Sequence, residues 1–306
     1  MESTSYRKYL NPLVISKLAN LELKAKFVVE GFITGLHKSP YHGFSVEFAE
    51  HRQYMPGDDL KYFDWKVYGK TEKSYIKQFE EETNLRSYLL IDISKSMMFS
   101  SIEEKNHSNK ISKLEYASYL SASLAYLMLI QRDAVGLATF DTGLRTFLPP
   151  SSTKANFLQL LKSLDKIKST QSTGIAKSLN QIAELVKKRS LIVVISDFFE
   201  TLKDVIRALR HFHHNKNEVI VFQILDPLEL SFFDGPAVKL VDIETHEEIF
   251  SKPSVIQQSY RENLQKFLAS FKSECLNYGI DYNLLTTSTS FDKALLAYLR
   301  KRKKLF

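Results

Sequence analysis

Five oxygen-bearing side chains of this 306-residue chain stand where a metal ion could be bound. Two are carboxylates and three are hydroxyls, and each follows an apolar run or opens a helix: Asp92, Ser94, Ser96, Thr173 and Asp197. Oxygen ligands of this kind suit a hard divalent cation, Mg²⁺ or Mn²⁺, and not zinc. With only two carboxylates, the ion would keep positive charge and an open position that a carboxylate of another molecule could fill.

The same residues also have ordinary structural roles. Serine and threonine commonly cap helices, and an aspartate can simply end a strand. Their order along the chain favours the metal site over these roles. The segment Asp92–Ser96 follows the apolar run Leu89–Ile91, Ser196-Asp197 follows the apolar run Leu191–Ile195, and Thr173-Gly174 lies between them.

Strand-like and helix-like segments alternate from Leu85 to the C-terminus. The uninterrupted aliphatic run Leu191–Ile195 is typical of a parallel strand that is buried on both faces. The alternation predicts an α/β fold with a doubly wound, mostly parallel sheet flanked by helices. Ligands bind at the carboxyl ends of the strands in such sheets, so the five side chains are expected at one edge.

The chain divides into two regions by pattern. Residues 1–85 alternate turn signals with short polar and aromatic runs, which predicts a small, irregular N-terminal region of helices plus short strands. Residues 86–306 carry the α/β pattern. Residues 226–252 interrupt that pattern with two short extended runs, which predict a hairpin insertion at the surface.

The composition is that of a globular protein, with 44% hydrophobic and 25% charged residues. The longest uncharged stretch, Tyr116–Gln131, is shorter than the roughly 20 apolar residues that span a bilayer, so no membrane span is expected. The first 24 residues lack the apolar core of a secretory signal. The lone cysteine, Cys275, cannot form an internal disulfide. These features predict a cytoplasmic protein.

The net charge of +7 is concentrated near the C-terminus. Residues 300–304 are all basic, and without them the net charge is only +2. A solvated helix end accounts for these cations, which suit the negative end of the helix dipole. No basic stripe with interleaved aromatic residues occurs elsewhere. Nucleic-acid binding through the basic tail is therefore disfavoured, although it stays as a third hypothesis.

The metal-site residues resemble a known arrangement. Asp92–Ser96, Thr173 and Asp197 look like the metal-ion-dependent adhesion site of von Willebrand factor A domains, and Arg132–Phe140 resembles the second strand of that fold. Other segments resemble the bacterial domain-of-unknown-function fifty-eight family, which carries such a domain: Glu47–Asp59, Phe63–Trp65, Phe79–Glu82, Tyr260, Gly279–Tyr282 and Ala294–Leu299. The resemblance thus covers essentially the whole chain.

This resemblance implies a von Willebrand factor A-like domain that binds other proteins and catalyses nothing. It implies a chaperone-like adaptor that works with a MoxR-type AAA+ ATPase in the maturation or assembly of a client that the sequence does not identify. Two phenylalanines follow Asp197 in place of a small residue, which predicts a differently shaped third metal loop.

The alternative function is that of a metal-dependent hydrolase, in which the same ion activates water. It is disfavoured because the sequence places no histidine or spare carboxylate beside the proposed ligands to act as general base.

Three acidic residues of the N-terminal region are candidate partner contacts. Pro56-Gly57 places Asp58 and Asp59 on a turn, and Asp64 follows shortly after. A turn followed by a helix N-cap would account for them without any function. A docking surface for the ATPase is the other interpretation, because adjacent exposed carboxylates with no local cation suit a binding partner.

Overall fold

The computed structural model describes residues 11–18, 20–37, 51–55, 65–77, 85–101, 111–167, 174–232, 238–241, 248–251 and 253–305. Among these described residues, the first 85 positions form the helices α1 (Pro12–Ser16), α2 (Leu21–His37) and α3 (Trp65–Thr71) and the short strands β1 (His51–Gln53) and β2 (Tyr75–Lys77). The strands β1 and β2 pair antiparallel. The extent of this region as a unit of its own stays a prediction.

The rest of the chain alternates strands and helices. After β3 (Arg86–Asp92) comes a 3-10 helix (Lys95–Met98). The remaining elements follow in the order α4 (Lys113–Ile130), β4 (Ala134–Phe140), β5 (Leu144–Ser151), α5 (Lys154–Asp165), α6 (Ile175–Leu185), β6 (Leu191–Ser196), α7 (Leu202–His214), β7 (Glu218–Leu225), α8 (Pro227–Ser231), β8 (Val238–Val241), β9 (Glu248–Ser251), α9 (Pro253–Asn277), β10 (Asp281–Thr286) and α10 (Asp292–Leu305).

Six strands form one sheet with the order β10-β7-β6-β3-β4-β5. All neighbouring pairs are parallel except β4 and β5. From β3 the chain builds outward to β4 and β5 on one side, and then to β6, β7 and β10 on the other. The predicted doubly wound, mostly parallel α/β fold is confirmed.

Helices cover both faces of this sheet. Leu89 and Ile91 of β3 belong to the core under α2, α4, α5 and α10, whereas Leu90 belongs to the core under α6, α7 and α9. Successive side chains of a strand point to opposite faces, so a strand buried on both faces must be apolar throughout. This requirement explains the uninterrupted run Leu191–Ile195, in which every residue is fully buried.

The N-terminal helix α2 packs against the α/β domain. Its buried residues Ala25, Val28 and Val29 share one hydrophobic cluster with α4, and the Lys24 ammonium donates to the Tyr119 hydroxyl at 2.9 Å. The boundary between residues 85 and 86 stays a prediction, because this packing joins the two regions without defining separate units.

The two extended runs predicted in residues 226–252 pair as the antiparallel hairpin of β8 and β9. The helix α8, which precedes this hairpin, was not predicted from the sequence. It begins with a capping box in which the Asp226 carboxylate accepts from Leu228 N and the Glu229 carboxylate accepts from Asp226 N.

The interpretation of residues 300–304 as a fully solvated helix end is wrong for two of them. The Lys301 ammonium is paired with Glu218 at 2.8 Å and with Asp281 at 3.0 Å, and the Arg302 guanidinium donates to the buried Asp133 carboxylate at 2.7 Å. Both contacts lie at the amino ends of strands, where α10 ends. Charge density along the sequence could not indicate that α10 ends against β7 and β10.

No helix within the described part of the chain is long and apolar enough to cross a membrane. Four predicted site residues, Asp58, Asp59, Asp64 and Thr173, lie outside the described residues.

Candidate metal centre

The candidate site lies where the sheet changes its direction of winding. The parallel strands β3 and β6 are neighbours, but the chain leaves β3 towards β4 and reaches β6 only later. The crossover connections therefore diverge at the carboxyl ends of these two strands, and such a point leaves a crevice for ligands. Asp92 is the last residue of β3, and Asp197 directly follows β6. The structure thus brings Asp92, Ser94, Ser96 and Asp197 to one edge, as predicted.

The Asp92 carboxylate is fully buried and held by two hydrogen bonds. Its Oδ1 accepts from Ser94 N at 2.9 Å and its Oδ2 accepts from Ser196 Oγ at 2.6 Å. Burial and, after it, the charge of Asp197 raise the pKa of Asp92 to about 7. In the described part of the chain, no lysine, arginine or histidine forms an ion pair with Asp92. A cation bound here would relieve this buried negative charge.

The hydroxyls of Ser94 and Ser96 face each other, with 3.0 Å between their Oγ atoms. Neighbouring ligands of an octahedral Mg²⁺ at about 2.1 Å stand roughly 3.0 Å apart, so this spacing fits the ion. Ser94 is the N-cap residue of the 3-10 helix, but its side chain makes no capping hydrogen bond. The Ser94 side chain therefore does not cap the helix, which was its alternative role.

The backbone directly after Asp197 has an unusual conformation. Phe198 adopts a left-handed conformation with φ of 59°, which is unfavourable for a bulky residue. Its ring is buried 5.0 Å from the ring of Phe271, and this packing holds the turn in place. The Asp197 carbonyl accepts from Gln223 Nε2 at 2.7 Å, and Gln223 Oε1 accepts from the Tyr282 hydroxyl at 2.6 Å. Asp197 is thus positioned from β7 and β10.

The helix that follows Thr173 begins at the same edge of the sheet. The Glu200 carboxylate accepts from Ile175 N at 2.6 Å and from Ala176 N at 3.3 Å. On the other side, a Cβ on Gly174 would lie 3.0 Å from Thr142 Cα, so a larger residue would crowd the loop after β4. Glu200 and Gly174 therefore fix the start of α6 next to the loops of Asp197 and β4.

Sequence reasoning missed a lysine at this site. Lys113, the first residue of α4, is fully buried, and its ammonium lies 2.8 Å from Asp197 Oδ2 and 2.6 Å from Glu229 Oε1. Burial alone would lower the pKa of Lys113, but the charges of Asp197 and Glu229 raise it above its usual value. One signal was available, because a cation at the first position of a helix opposes the helix dipole.

Glu229 and Asp226 were also missed. They follow β7 as Asp197 follows β6, so the rule that found the first carboxylates would have found these too. Asp226 Oδ2 accepts from Ser101 N at 3.0 Å, which ties the segment after the metal-site serines to the end of β7. Burial raises the pKa of Glu229 even though the Lys113 ammonium opposes that shift. The expectation that no spare carboxylate lies beside the ligands is therefore wrong.

Two exposed apolar side chains lie beside these polar groups. Met98, in the 3-10 helix after Ser96, is 50% exposed, and Phe199, two residues after Asp197, is 41% exposed. We call these two residues the apolar rim. Within the described ranges, no group of three or more histidine, cysteine, aspartate or glutamate residues could hold a metal ion by itself. An ion here would need the hydroxyls, as the sequence predicted.

The chain belongs to the family described as protein of unknown function DUF58. The family model described as protein of unknown function DUF58 matches residues 50–270, which is most of the chain. The predicted family membership is confirmed.

The chain is also similar to individual proteins and to solved structures. The uncharacterized protein Rv1480 of Mycobacterium tuberculosis is 24% identical over 238 residues, which are 77% of this chain and 72% of that protein. Matching structures include BatB from Bacteroides thetaiotaomicron (19% identity, 72% and 99% of the two chains, TM-score 0.46) and the SpRpn10 VWA domain (15% identity, 70% and 94%, TM-score 0.39).

Proposed function

We propose that this protein is a non-catalytic interaction module that binds a partner protein through a divalent metal ion. The observation that carries the proposal is the convergence of Asp92, Ser94, Ser96 and Asp197 at the switch point between β3 and β6. Thr173 would complete the ligand set. The bound Mg²⁺ or Mn²⁺ would offer an open coordination position to an acidic side chain of the partner.

The groups around the site favour binding over hydrolysis. A hydrolase needs a general base within reach of the metal-bound water. Glu229 is an additional carboxylate beside the ligands, but it is engaged by the Lys113 ammonium at 2.6 Å and by Asp226 N at 2.7 Å. The apolar rim of Met98 and Phe199 suits a protein partner, because exposed apolar groups beside polar contacts are typical of interaction sites.

The partner that we propose is a MoxR-type AAA+ ATPase, which would supply energy for remodelling a client protein in the cytoplasm. The family resemblance suggests this ATPase. Asp58, Asp59 and Asp64 are proposed as part of the contact surface, and the metal edge would bind either the ATPase or the client.

Metal binding is tested by titration of the purified protein with Mn²⁺, followed by calorimetry or by the electron paramagnetic resonance signal of the free ion. Wild type should bind one ion, and Asp92→Asn should weaken binding by at least about tenfold, since even partners of metal ligands are worth that much. Asp281→Asn is the matched control, because it removes an aspartate from the opposite edge of the sheet. Equal affinity in wild type and Asp92→Asn would contradict the metal site.

The partnership is tested by a pull-down with a MoxR-type ATPase from the same organism, with and without EDTA. The wild-type complex should weaken in EDTA, in Asp92→Asn and in the double variant Asp58→Asn/Asp59→Asn, but not in Asp281→Asn. Equal amounts of complex in all conditions would show that the metal and the N-terminal acidic residues are not involved. Absence of any complex would contradict the adaptor function itself.

A further inference from the structure

Lys113 and Glu229 form an ion pair directly beside the proposed metal ligands, and the metal-binding function does not explain it. The Lys113 side chain has no exposed surface, although it stands at the helix N-terminus where a cation is disfavoured. Taking a charge out of water costs several kcal/mol unless its partners compensate. A position with both disadvantages is more readily explained by a role at the site than by stability.

We propose that Lys113 is a built-in competitor of the metal ion. Its ammonium lies 2.8 Å from Asp197 Oδ2, and a divalent cation could use that oxygen only after the ammonium leaves it. The inference rests on the proposed function, because it assigns to Lys113 the control of metal affinity at that same site. Lys113 is thus a residue that tunes the site and not a metal ligand.

Glu229 can remain the ion-pair partner of the ammonium after a metal ion displaces it from Asp197. Glu229 Oε1 lies 2.6 Å from Lys113 Nζ, and Asp226 N donates to the other carboxylate oxygen at 2.7 Å, which fixes the orientation of the group. The rings of Phe99 and Phe199 lie 5.9 and 5.3 Å from the ammonium, within the range of cation–π attraction. Lys113 therefore remains paired when Asp197 turns to a metal, and no buried charge is left alone.

The charges at this edge explain why the competition is close. Three carboxylates, those of Asp92, Asp197 and Glu229, lie around the single ammonium of Lys113. The excess of negative charge attracts a divalent ion, whereas the ammonium already satisfies one of the carboxylates that the ion needs. The metal affinity is then set by the difference between these two attractions.

The test is the Mn²⁺ titration applied to Lys113→Met. Loss of a hydrogen bond to a charged group is worth about 1.5–3 kcal/mol, so Mn²⁺ should bind about tenfold to a hundredfold more tightly than to wild type. Lys301→Met is the matched control, because it removes a lysine that also bridges two carboxylates, but at the amino ends of the strands. Its Mn²⁺ affinity should equal that of wild type.

The double variant Lys113→Met/Glu229→Gln separates direct competition from a general effect of charge. It removes one positive and one negative charge, so the net charge of the site is unchanged while Asp197 becomes available. It also avoids leaving Glu229 buried without a cation, which protects the fold if Lys113→Met alone is unstable. The double variant should still bind Mn²⁺ more tightly than wild type, and Mn²⁺ should raise its melting temperature by more.

The outcomes distinguish this inference from the function on which it rests. Tighter binding in both Lys113 variants supports it, even if wild type binds too weakly to measure. Measurable binding that is equal in wild type and in the double variant overturns the competitor role and leaves the metal-dependent module intact. Absence of Mn²⁺ binding in every protein, including both Lys113 variants, overturns both.

Discussion

Two lysines of this protein each bridge two carboxylates, at opposite edges of one sheet. At the amino edge, where the parallel strands begin, Lys301 is paired with Glu218 and Asp281, whose side chains are 27% and 40% exposed. At the carboxyl edge, where the parallel strands end, Lys113 is paired with Asp197, which is fully buried, and with Glu229, which is 15% exposed. Water stabilises the first cluster from outside, whereas the second depends on its own members.

The two edges also differ in how their charge is balanced. The amino edge adds a second cation, because Arg302 and the Tyr298 hydroxyl both donate to the buried Asp133. The carboxyl edge adds a further buried carboxylate, Asp92, with no described cation beside it. The amino edge is therefore a contact between α10 and the sheet in which these carboxylates are paired with cations. The carboxyl edge has a buried carboxylate without an ion-pair partner among the described residues, which is a property of a cation-binding site.

The largest difference between the clusters is expected from removal of the lysine. In metal-free buffer, Lys113→Met should lower the free energy of unfolding by about 3–5 kcal/mol, because it leaves buried carboxylates without a cation. Lys301→Met should lower it by about 1 kcal/mol or less, because its partners are reached by water. Urea unfolding measures both, and equal losses would show that the clusters do not differ in this way.

The next effect concerns repulsion within the carboxyl edge. In EDTA at neutral pH, Asp92→Asn should raise the stability by about 1 kcal/mol, because it removes a buried charge that is repelled by Asp197. Mn²⁺ should raise the melting temperature of wild type but not that of the variant. If Asp92→Asn is destabilising in EDTA and still stabilised by Mn²⁺, the carboxylate is structural and not a ligand.

The pH dependence of the amino edge gives a smaller effect. Burial would raise the pKa of Glu218, but the hydrogen bond and charge of Lys301 outweigh it and hold the pKa below its ordinary value of 4.5. A lowered carboxylate pKa contributes stability above pH 4.5 that is lost as the pH falls through the folded-state value. Glu218→Gln should therefore reduce stability at pH 7, by under about 1 kcal/mol, and have no effect near pH 3.

Urea unfolding of wild type and Glu218→Gln across this pH range provides the measurement. A difference between the two proteins that persists unchanged at pH 3 would mean that Glu218 contributes through packing and not through its charge.

The smallest effect on stability is expected at the apolar rim. Met98→Ser should change the free energy of unfolding by less than about 0.5 kcal/mol, because the side chain is half exposed. It should nevertheless weaken partner capture. Leu185→Ser, at the end of α6, is the control, since Leu185 is similarly exposed at 43% but lies at the amino edge. Equal capture of the partner by both variants would remove the rim from the proposed interface.

The sequence predicted the parts of the site that obey a local rule. Asp92, Ser94, Ser96 and Asp197 were found because polar residues that follow buried parallel strands meet at one edge. Lys113 was missed because its partners lie 84 and 116 residues away and belong to other elements. Such contacts depend on how helices dock on the sheet, which no short pattern encodes.

The fold was predicted more completely than the site for the same physical reason. Both faces of the central strands are buried, so runs such as Leu191–Ile195 carry an unambiguous signal. The basic residues at 300–304 carry no such signal. Whether Lys301 is solvated or paired depends on where α10 ends relative to Glu218 and Asp281. The metal ion itself stays a prediction.

Glu200 has a consequence for the thermodynamics of metal uptake. By bonding Ile175 N and Ala176 N from a position three residues after Asp197, it fastens two loops of the site together before any ion arrives. A site of this kind is preorganised, so binding would order little additional chain and bury little additional apolar surface. The heat capacity change of binding should then be close to zero, and the enthalpy should be nearly independent of temperature.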